Sequence, residues 1–428
     1  MSKPKKKTDR LIFRMQNNSV LMWCVSMFHA LLMMFGLMYY MSLVYVMPDE
    51  ILLIETLSMV KNALLGVEDK PSKDRFLFVN CSWEKGLTAK RDTNDFVIGN
   101  VDITNRKSIT KFVNQLNQNP DNHEYLLVDV RFYDKSEDDS LMQAAFAQSK
   151  NTIVSYHKGA DGKPHYPVVD VPIGLSDLQV QELNHEETFV LKYHIIQSDS
   201  LKSTPLLMAE NMYGEKIEKG FLFNKFRGNY MLDSYILDYL IRPYDIFVSN
   251  EYMYMQMHEL INMPPFLIED YTKDRIIVLG DFEDHDIHKT IYGFLPGPLI
   301  LTNAFITLEK GYNKITLGFF IFIFICFTYI SHKALTFQDL VTKFMQKFFN
   351  SDHFLMELLQ DSLFYLVFFG IMSVISYFFF NIHLTVLILS FYMYGVEQGL
   401  LFYKGYIEEK SKGKSKITEK VTEEHPHD

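Results

Sequence analysis

The chain has 428 residues, 48% of them hydrophobic and 15% aromatic, and a formal net charge of −10. The apolar content is ordinary, but it is gathered into long uncharged runs at both ends, which excludes a fully soluble protein and a disordered one. A compact multi-span transporter is excluded because most of the chain lies outside those runs, and three cysteines are too few for a disulfide framework.

Residues 1–18 read as a basic tail, with Lys3, Lys5, Lys6, Lys7, Arg10 and Arg14 against one acid, Asp9. Residues 19–47 carry no Asp, Glu, Lys or Arg. At about 1.5 Å per residue, roughly 20 residues cross the hydrocarbon core, so this run is long enough to span. No small-residue cleavage site follows it, so it reads as an uncleaved anchor. After a mixed polar segment at 48–312 come three more apolar runs, at 315–331, 362–380 and 384–403, the last interrupted only by Glu397. Asn381, Ile382 and His383 make the turn between the last two.

The distribution of Lys and Arg orients these spans. The N-terminal tail is expected in the cytoplasm, and four crossings return the C-terminus to the same side. The loop after the second span carries Lys333, Lys343 and Lys347, and the tail 404–428 opens with Lys404 and is Lys-rich. Within 333–350, Phe337, Leu340, Val341, Phe344, Met345 and Phe348 recur at helical spacing. This predicts an amphipathic helix along the inner leaflet, or one packed against the spans. The tail has almost no apolar residues and reads as disordered or partner-docking.

The segment 48–312 is therefore expected outside the cytoplasm. Its 40 acidic and 26 basic side chains give −14, a surface that repels nucleic acid. Its one cysteine, Cys81, permits no internal disulfide, and Cys24 and Cys326 lie within spans. Strands are predicted over 75–81, 95–101, 123–132 and 151–156. Helices are predicted over 105–116, capped by Thr104, and over 140–148. Tyr125, Leu126, Leu127, Val128 and Val130 form the continuous run of a strand buried on both faces. A strand at 188–195, a helix starting in 205–211, a strand at 275–279 ending in Gly280 and a loop with Pro296 and Gly297 follow. A helix at 300–309 then leads directly into the second span. The fold class is an α/β domain with a mostly parallel or mixed sheet, flanked by one N-terminal and three C-terminal transmembrane helices. Residues 224–268, rich in Tyr and Met, take no assignment.

Several fragments of the domain occur in a telling order: Arg106 at a helix start, Tyr125 to Phe132 with Asp129 and Arg131, Glu137-Asp138-Asp139 with Leu141, and Asn151 to Val154. Ile276 to Gly280, Asp286-Ile287-His288-Lys289-Thr290, Pro296-Gly297 and Asn303-Ala304 follow. Together with the membrane layout, the set resembles the second class of the CHASE family, bacterial extracytoplasmic sensory domains followed by three transmembrane helices. Ile291 stands where that pattern has a Pro after the Thr, and Leu301-Thr302 where it has His-Ala before the Asn. The resemblance runs from about Arg75 to Gly311. It implies a multi-pass protein of the bacterial inner membrane with a sensory domain on the outer side. The family joins that domain to a cytoplasmic kinase, cyclase or similar output, which is not expected here. The chain is therefore read as a sensory or signal-coupling protein acting through a protein partner in the membrane or cytoplasm. The alternative is a structural scaffold subunit of a cell-envelope complex. Membrane lipids are expected partners, a homo-oligomer is compatible, and nucleic acid is not expected.

Asp281, Glu283, Asp284, His285, Asp286 and His288 form the densest polar cluster. Acids and imidazoles bind divalent metals, but this spacing matches no closed zinc pattern, and no metal or cofactor is assigned. The expected role is structural, with Asp286, His288 and Thr290 hydrogen-bonding the loop to the closing helix. Asp129, Arg131, Asp139 and Gly280 are expected at the carboxyl ends of the strands, where open α/β sheets bind ligands. Arg106 pairs with one of these acids, either at a ligand site or as a buried charge pair holding the sheet edge. Asn303 belongs to the closing helix of the resemblance. No nucleophile–base pair, phosphate loop or CxxC occurs, so enzyme activity is not expected. In the spans, His29 and Glu397 both fall roughly 10–15 Å from the inner boundary. They hydrogen-bond to each other, or Glu397 meets a partner or snorkels beside Gln398 and Lys404.

Overall fold

The computed structural model describes residues 19–43, 47–65, 70–91, 94, 96–159, 162–178, 181–184, 187–197, 201–283, 285–312, 314–336 and 354–423. The basic tail at 1–18, nearly all of the expected amphipathic helix at 333–350, and Asp284 lie outside them. In chain order the principal elements are α1 (Ser19–Ser42), α2 (Pro48–Leu65), β1 (Phe76–Asn80), β2 (Lys85–Arg91), β3 (Val97–Thr104), α3 (Arg106–Leu116), β4 (Tyr125–Asp129), α4 (Asp139–Phe146), β5 (Thr152–Lys158), β6 (Pro164–His165) and β7 (Ile173–Leu175). Then come α5 (Thr204–Tyr213), β8 (Met253–Gln256), α6 (Pro265–Thr272), β9 (Ile276–Gly280), β10 (Ile287–Thr290), β11 (Gly293–Pro296), α7 (Gly297–Lys310), α8 (Leu317–Leu335), α9 (Phe354–Phe380) and α10 (Val386–Glu423). The chain divides into a unit of residues 42–315 and a helical unit built from the segments on either side.

In the first unit, strands β1, β4 and β9 are buried at all five positions. A strand presents successive side chains to opposite faces, so such runs require cover on both sides. One core holds Phe76, Phe78, Tyr125, Leu127, Ile276 and Val278 against Leu206 of α5 and Leu299 and Phe305 of α7. The other holds Leu77, Val79, Leu126, Val128, Ile277 and Leu279 against Ile109 and Phe112 of α3 and Met142 and Phe146 of α4. The sheet order is β8-β1-β9-β4-β5-β7, every neighbouring pair parallel, with β6 antiparallel at the end of β5. This is a mixed α/β sheet between helical layers, as the strand–helix order predicts.

Several local expectations are corrected. The strand predicted at 95–101 is β3, but it stays out of the main sheet and pairs antiparallel with β2 in a separate hairpin. Its pattern is largely exposed, so it lacks the two-faced apolar run that would draw it into the centre. Helix α3 is capped by Asn105, whose side chain accepts from the Lys107 and Ser108 amides at 3.0 and 3.3 Å, and not by Thr104. The strand at 188–195 is broken into Glu187–Phe189 and Lys192–His194. Among the described residues, 224–268 take part in three short strand pairings and supply β8, the edge strand beside β1. Helix α2, which follows the first apolar run, was not anticipated. Its first turn is closed by the Glu50 carboxylate, which accepts from Met47 N–H at 3.2 Å. Helix α7 does not run into the second span. Gly311 terminates it in the left-handed region at φ 63°, and Lys314–Ile315 pair with Asn229–Met231.

Among the described residues, the helical unit has four helices long and apolar enough to cross a membrane: α1, α8, the 363–380 part of α9 and the 386–406 part of α10. Each has an inner and an outer apolar face. Ala30, Met33, Leu37, Phe327, Ile330, Phe369 and Met393 are buried, while Leu31, Phe35, Ile325, Val367 and Phe402 are exposed. Exposed apolar faces of this length belong in lipid, and the chain is a multi-pass membrane protein. The turn from α9 to α10 begins at Asn381, φ 57°, as the sequence suggests, and Ser376 Oγ closes it by donating to Ile382 O at 2.6 Å. Helix α10 continues to Glu423, through the Lys- and Glu-rich segment read above as a tail.

Candidate functional site at the carboxyl edge of the sheet

Parallel strands end together, and here β4 ends in Asp129, β5 carries Ser155 and His157, and β9 ends in Gly280. Gly280 is opposite Asp129 in the register. A side chain at Gly280 would overlap the ring of Pro298, and one at Gly297 would overlap the Asp286 carboxylate. The two glycines therefore let the start of α7 close over the strand ends with Asp286 laid against it. The Asp286 carbonyl accepts from Gly297 N–H at 2.7 Å. Its carboxylate meets His288 Nε2 at 2.7 Å.

Beyond β4 the chain alternates. Val130 and Phe132 sit in the core, while Asp129, Arg131 and Tyr133 line a cleft of ≈ 900 Å³ together with Ser155, His157, His165, Asp281 and Asp286. A second cavity, of ≈ 310 Å³, is lined by His157, Asp177, Asp286, His288, Gly297 and Leu301. His157 and Asp286 line both.

Asp129 is the unusual group. It is only 6% exposed, and its Oδ1 has no hydrogen-bond partner among the described residues. Burial and then the Asp286 carboxylate push its pKa up to about 7, against the opposing pull of His157, Ser155 and His288. His157 Nδ1 lies 3.4 Å from Asp177 Oδ1. Burial of this ring favours its neutral form, but Asp177, Asp129 and Asp286 outweigh it and raise the imidazole pKa. The edge is thus a cluster of carboxylates and imidazoles.

Of the residues expected from the sequence, Asp129, Arg131, Gly280, Asp286 and His288 gather at this edge. The others do not. Arg106 is fully buried and pairs with Asp139 at 3.3 Å. Its other nitrogens donate to Thr104 O and Asp134 O at 3.0 and 3.1 Å, and it stacks on Phe132. This buried pair ties the start of α3 to the start of α4. Thr290 bonds the β10–β11 turn, accepting from Tyr292 N–H and donating to Gly293 O, and does not reach α7 as expected. Asn303 is fully buried and clamps Ile241, accepting from its N–H at 2.9 Å and donating to its carbonyl at 2.8 Å.

The acidic loop is occupied internally. Asp281 accepts from Ser82 Oγ at 2.5 Å and from the Glu283 amide at 3.2 Å, and Glu283 accepts from Trp83 and Tyr254. Among the described residues, no three His, Cys, Asp or Glu side chains are arranged to hold a metal ion. In the helical unit the expected His29–Glu397 pair does not form. His29 bonds Ser331 of α8 and Tyr392 of α10 at 2.8 and 2.9 Å, and Glu397 accepts from Tyr365 of α9 at 2.8 Å.

Sequence reasoning missed Ser155, His157 and Asp177. The rule that ligands meet strand carboxyl ends, applied to β5 as well as β4, points to the first two. Asp177 had no signal, because only the turn after β7 brings it to His157. Comparison of the chain with protein-family models, with curated proteins and with solved structures finds no match in any of the three.

Proposed function

We propose that this chain is a membrane-bound sensory or signal-coupling protein of the CHASE-like kind. Its 42–315 domain faces away from the cytoplasm of a bacterial inner membrane, both termini lie inside, and it acts through a partner protein. The observation that carries this reading is the buried Asp129, one of whose carboxylate oxygens has no hydrogen-bond partner among the described residues, at a cleft on the carboxyl edge of a parallel sheet. Helix α7 supplies a route from that cleft. It starts against Asp286 and Gly280, runs 14 residues (about 21 Å), and ends where Arg75 grips Glu309 through two 2.6 Å bonds. From Lys310 the chain passes to α8, so a ligand that repositions Asp286 biases the segment leading into the second span.

The test is the full chain in nanodiscs, with cysteine pairs placed in the spans, treated with low-molecular-weight filtrate from the growth medium. A filtrate-dependent, dialysable change in cross-linking supports sensing. A scaffold role in an envelope complex has one observation of its own: the β2–β3 hairpin exposes Leu87, Val97 and Ile98 by 58–73%. Unchanged cross-linking, with stoichiometric partners retained in mild detergent, favours that role.

A further inference from the structure

The edge of the sheet says more about what it binds. Asp129 lines the cleft, is more than nine-tenths buried, and among the described residues its Oδ1 has no hydrogen-bond partner. Native proteins seldom leave such an atom unmatched, so a donor is missing. A neutral donor would satisfy the oxygen but leave Asp129 facing the Asp286 carboxylate. A donor with a positive charge relieves both. A metal ion is a poor answer, because among the described residues no three His, Cys, Asp or Glu side chains are arranged to hold one. A protonated amine needs only acceptors, and acceptors are what the floor offers.

The rim offers the opposite charge. Arg131 lines the same cleft as Asp129, two residues further along the chain. It is exposed and forms no ion pair among the described residues, resting near the Tyr133 ring. Tyr133 in turn stacks on His165 at 3.8 Å, giving the wall a flat aromatic face. A guanidinium that forms no ion pair among the described residues, on the wall of the same cleft, is a ready partner for a ligand carboxylate. The cleft volume suits a small molecule with room for a side group along that face.

We propose that the cleft binds a small zwitterion of the amino-acid class, its ammonium group donating to Asp129 and Asp286 and its carboxylate accepting from Arg131. The inference rests on the sensory reading in taking this cleft as the ligand site.

The experiment is titration calorimetry on the full chain in nanodiscs. The probes are L-norvaline, γ-aminobutyrate and 5-aminovalerate, with butylamine and butyrate as the separated halves. At least one zwitterion binds more tightly than either half. Asp129→Asn weakens it and butylamine about tenfold or more. Arg131→Gln, at an exposed position that does not threaten the fold, weakens the zwitterion but leaves butylamine unchanged. Butyrate binding best, no probe binding, or undiminished zwitterion binding in Asp129→Asn overturns the proposal. If the zwitterion binds but span cross-linking never responds to it, the site stands and the sensory reading falls. If filtrate moves the spans while all the probes fail, the reverse holds.

Discussion

Asp129 gives the sharpest prediction because its environment is fully specified. Its carboxyl is raised from 3.8 to about 7, by burial first and by Asp286 second. A carboxyl whose folded pKa lies above the unfolded one keeps its proton in the native state after the unfolded chain has released it. Between roughly pH 4 and 7 the native state therefore binds more protons, and stability falls as pH rises. At 1.36 kcal/mol for each pH unit, the interval amounts to about 4 kcal/mol. His157 acts in the same direction. Its raised pKa gives stability that is full in acid and is lost as pH climbs through the raised value. Asp129→Asn keeps the shape and removes the ionisation. The variant should match the parent near pH 5 and exceed it near pH 8 by about 2–4 kcal/mol, read by urea unfolding of the full chain in nanodiscs across that range. Parallel stability–pH curves for parent and variant would refute the argument that an uncompensated buried carboxylate sits at this edge.

Other consequences are as direct. Gly280→Ala should cost about 1–3 kcal/mol by driving a methyl into Pro298, and Pro298→Ala in that background should return part of it in the same urea assay. Asn303→Ala strands the N–H and carbonyl of the fully buried Ile241 and should cost about 2–4 kcal/mol, with no change in the pH profile. Asp139→Asn leaves the Arg106 guanidinium buried without its counter-charge and should cost about 3 kcal/mol. The double variant Arg106→Met, Asp139→Leu should be much closer to the parent, and a double-mutant cycle checks this. In the helical unit, His29→Leu removes bonds to two other helices and should weaken the bundle by about 1 kcal/mol in detergent unfolding, whereas Glu397→Gln, which still accepts from Tyr365, should change little.

What the sequence disclosed follows the physics of each signal. Runs such as Leu126 to Val128 and Ile276 to Leu279 can only be strands covered on both faces, and the spans declare themselves by length and lack of charge. The strand expected at 95–101 leaves the main sheet for a hairpin with β2 because a strand's partner is not written in its own residues. The site was half legible. Asp129 and Asp286 were visible as acids at strand and loop ends, and the glycines at 280 and 297 became intelligible once Pro298 and Asp286 were seen against them. Arg106 and Asn303 looked like site residues because buried polar side chains and ligand-binding ones share a composition. Only their partners, Asp139 and Ile241, separate the two. Residue counting puts His29 and Glu397 at matching distances along their helices, but distance along a helix says nothing about azimuth, and each bonds hydroxyl partners on other helices.

The placement of β9 constrains how this domain can come into being. It is the last strand of the main sheet to be made, yet it lies between β1 and β4, two of the earliest. Those strands have no direct pairing with each other, so the nascent chain cannot build the sheet outward from its beginning. Both hydrophobic layers must wait until residue 280 has left the ribosome, with apolar strands exposed in the interval. Any truncation short of that residue deletes the keystone rather than an edge, and a chain stalled before it becomes a client for holdases and proteases.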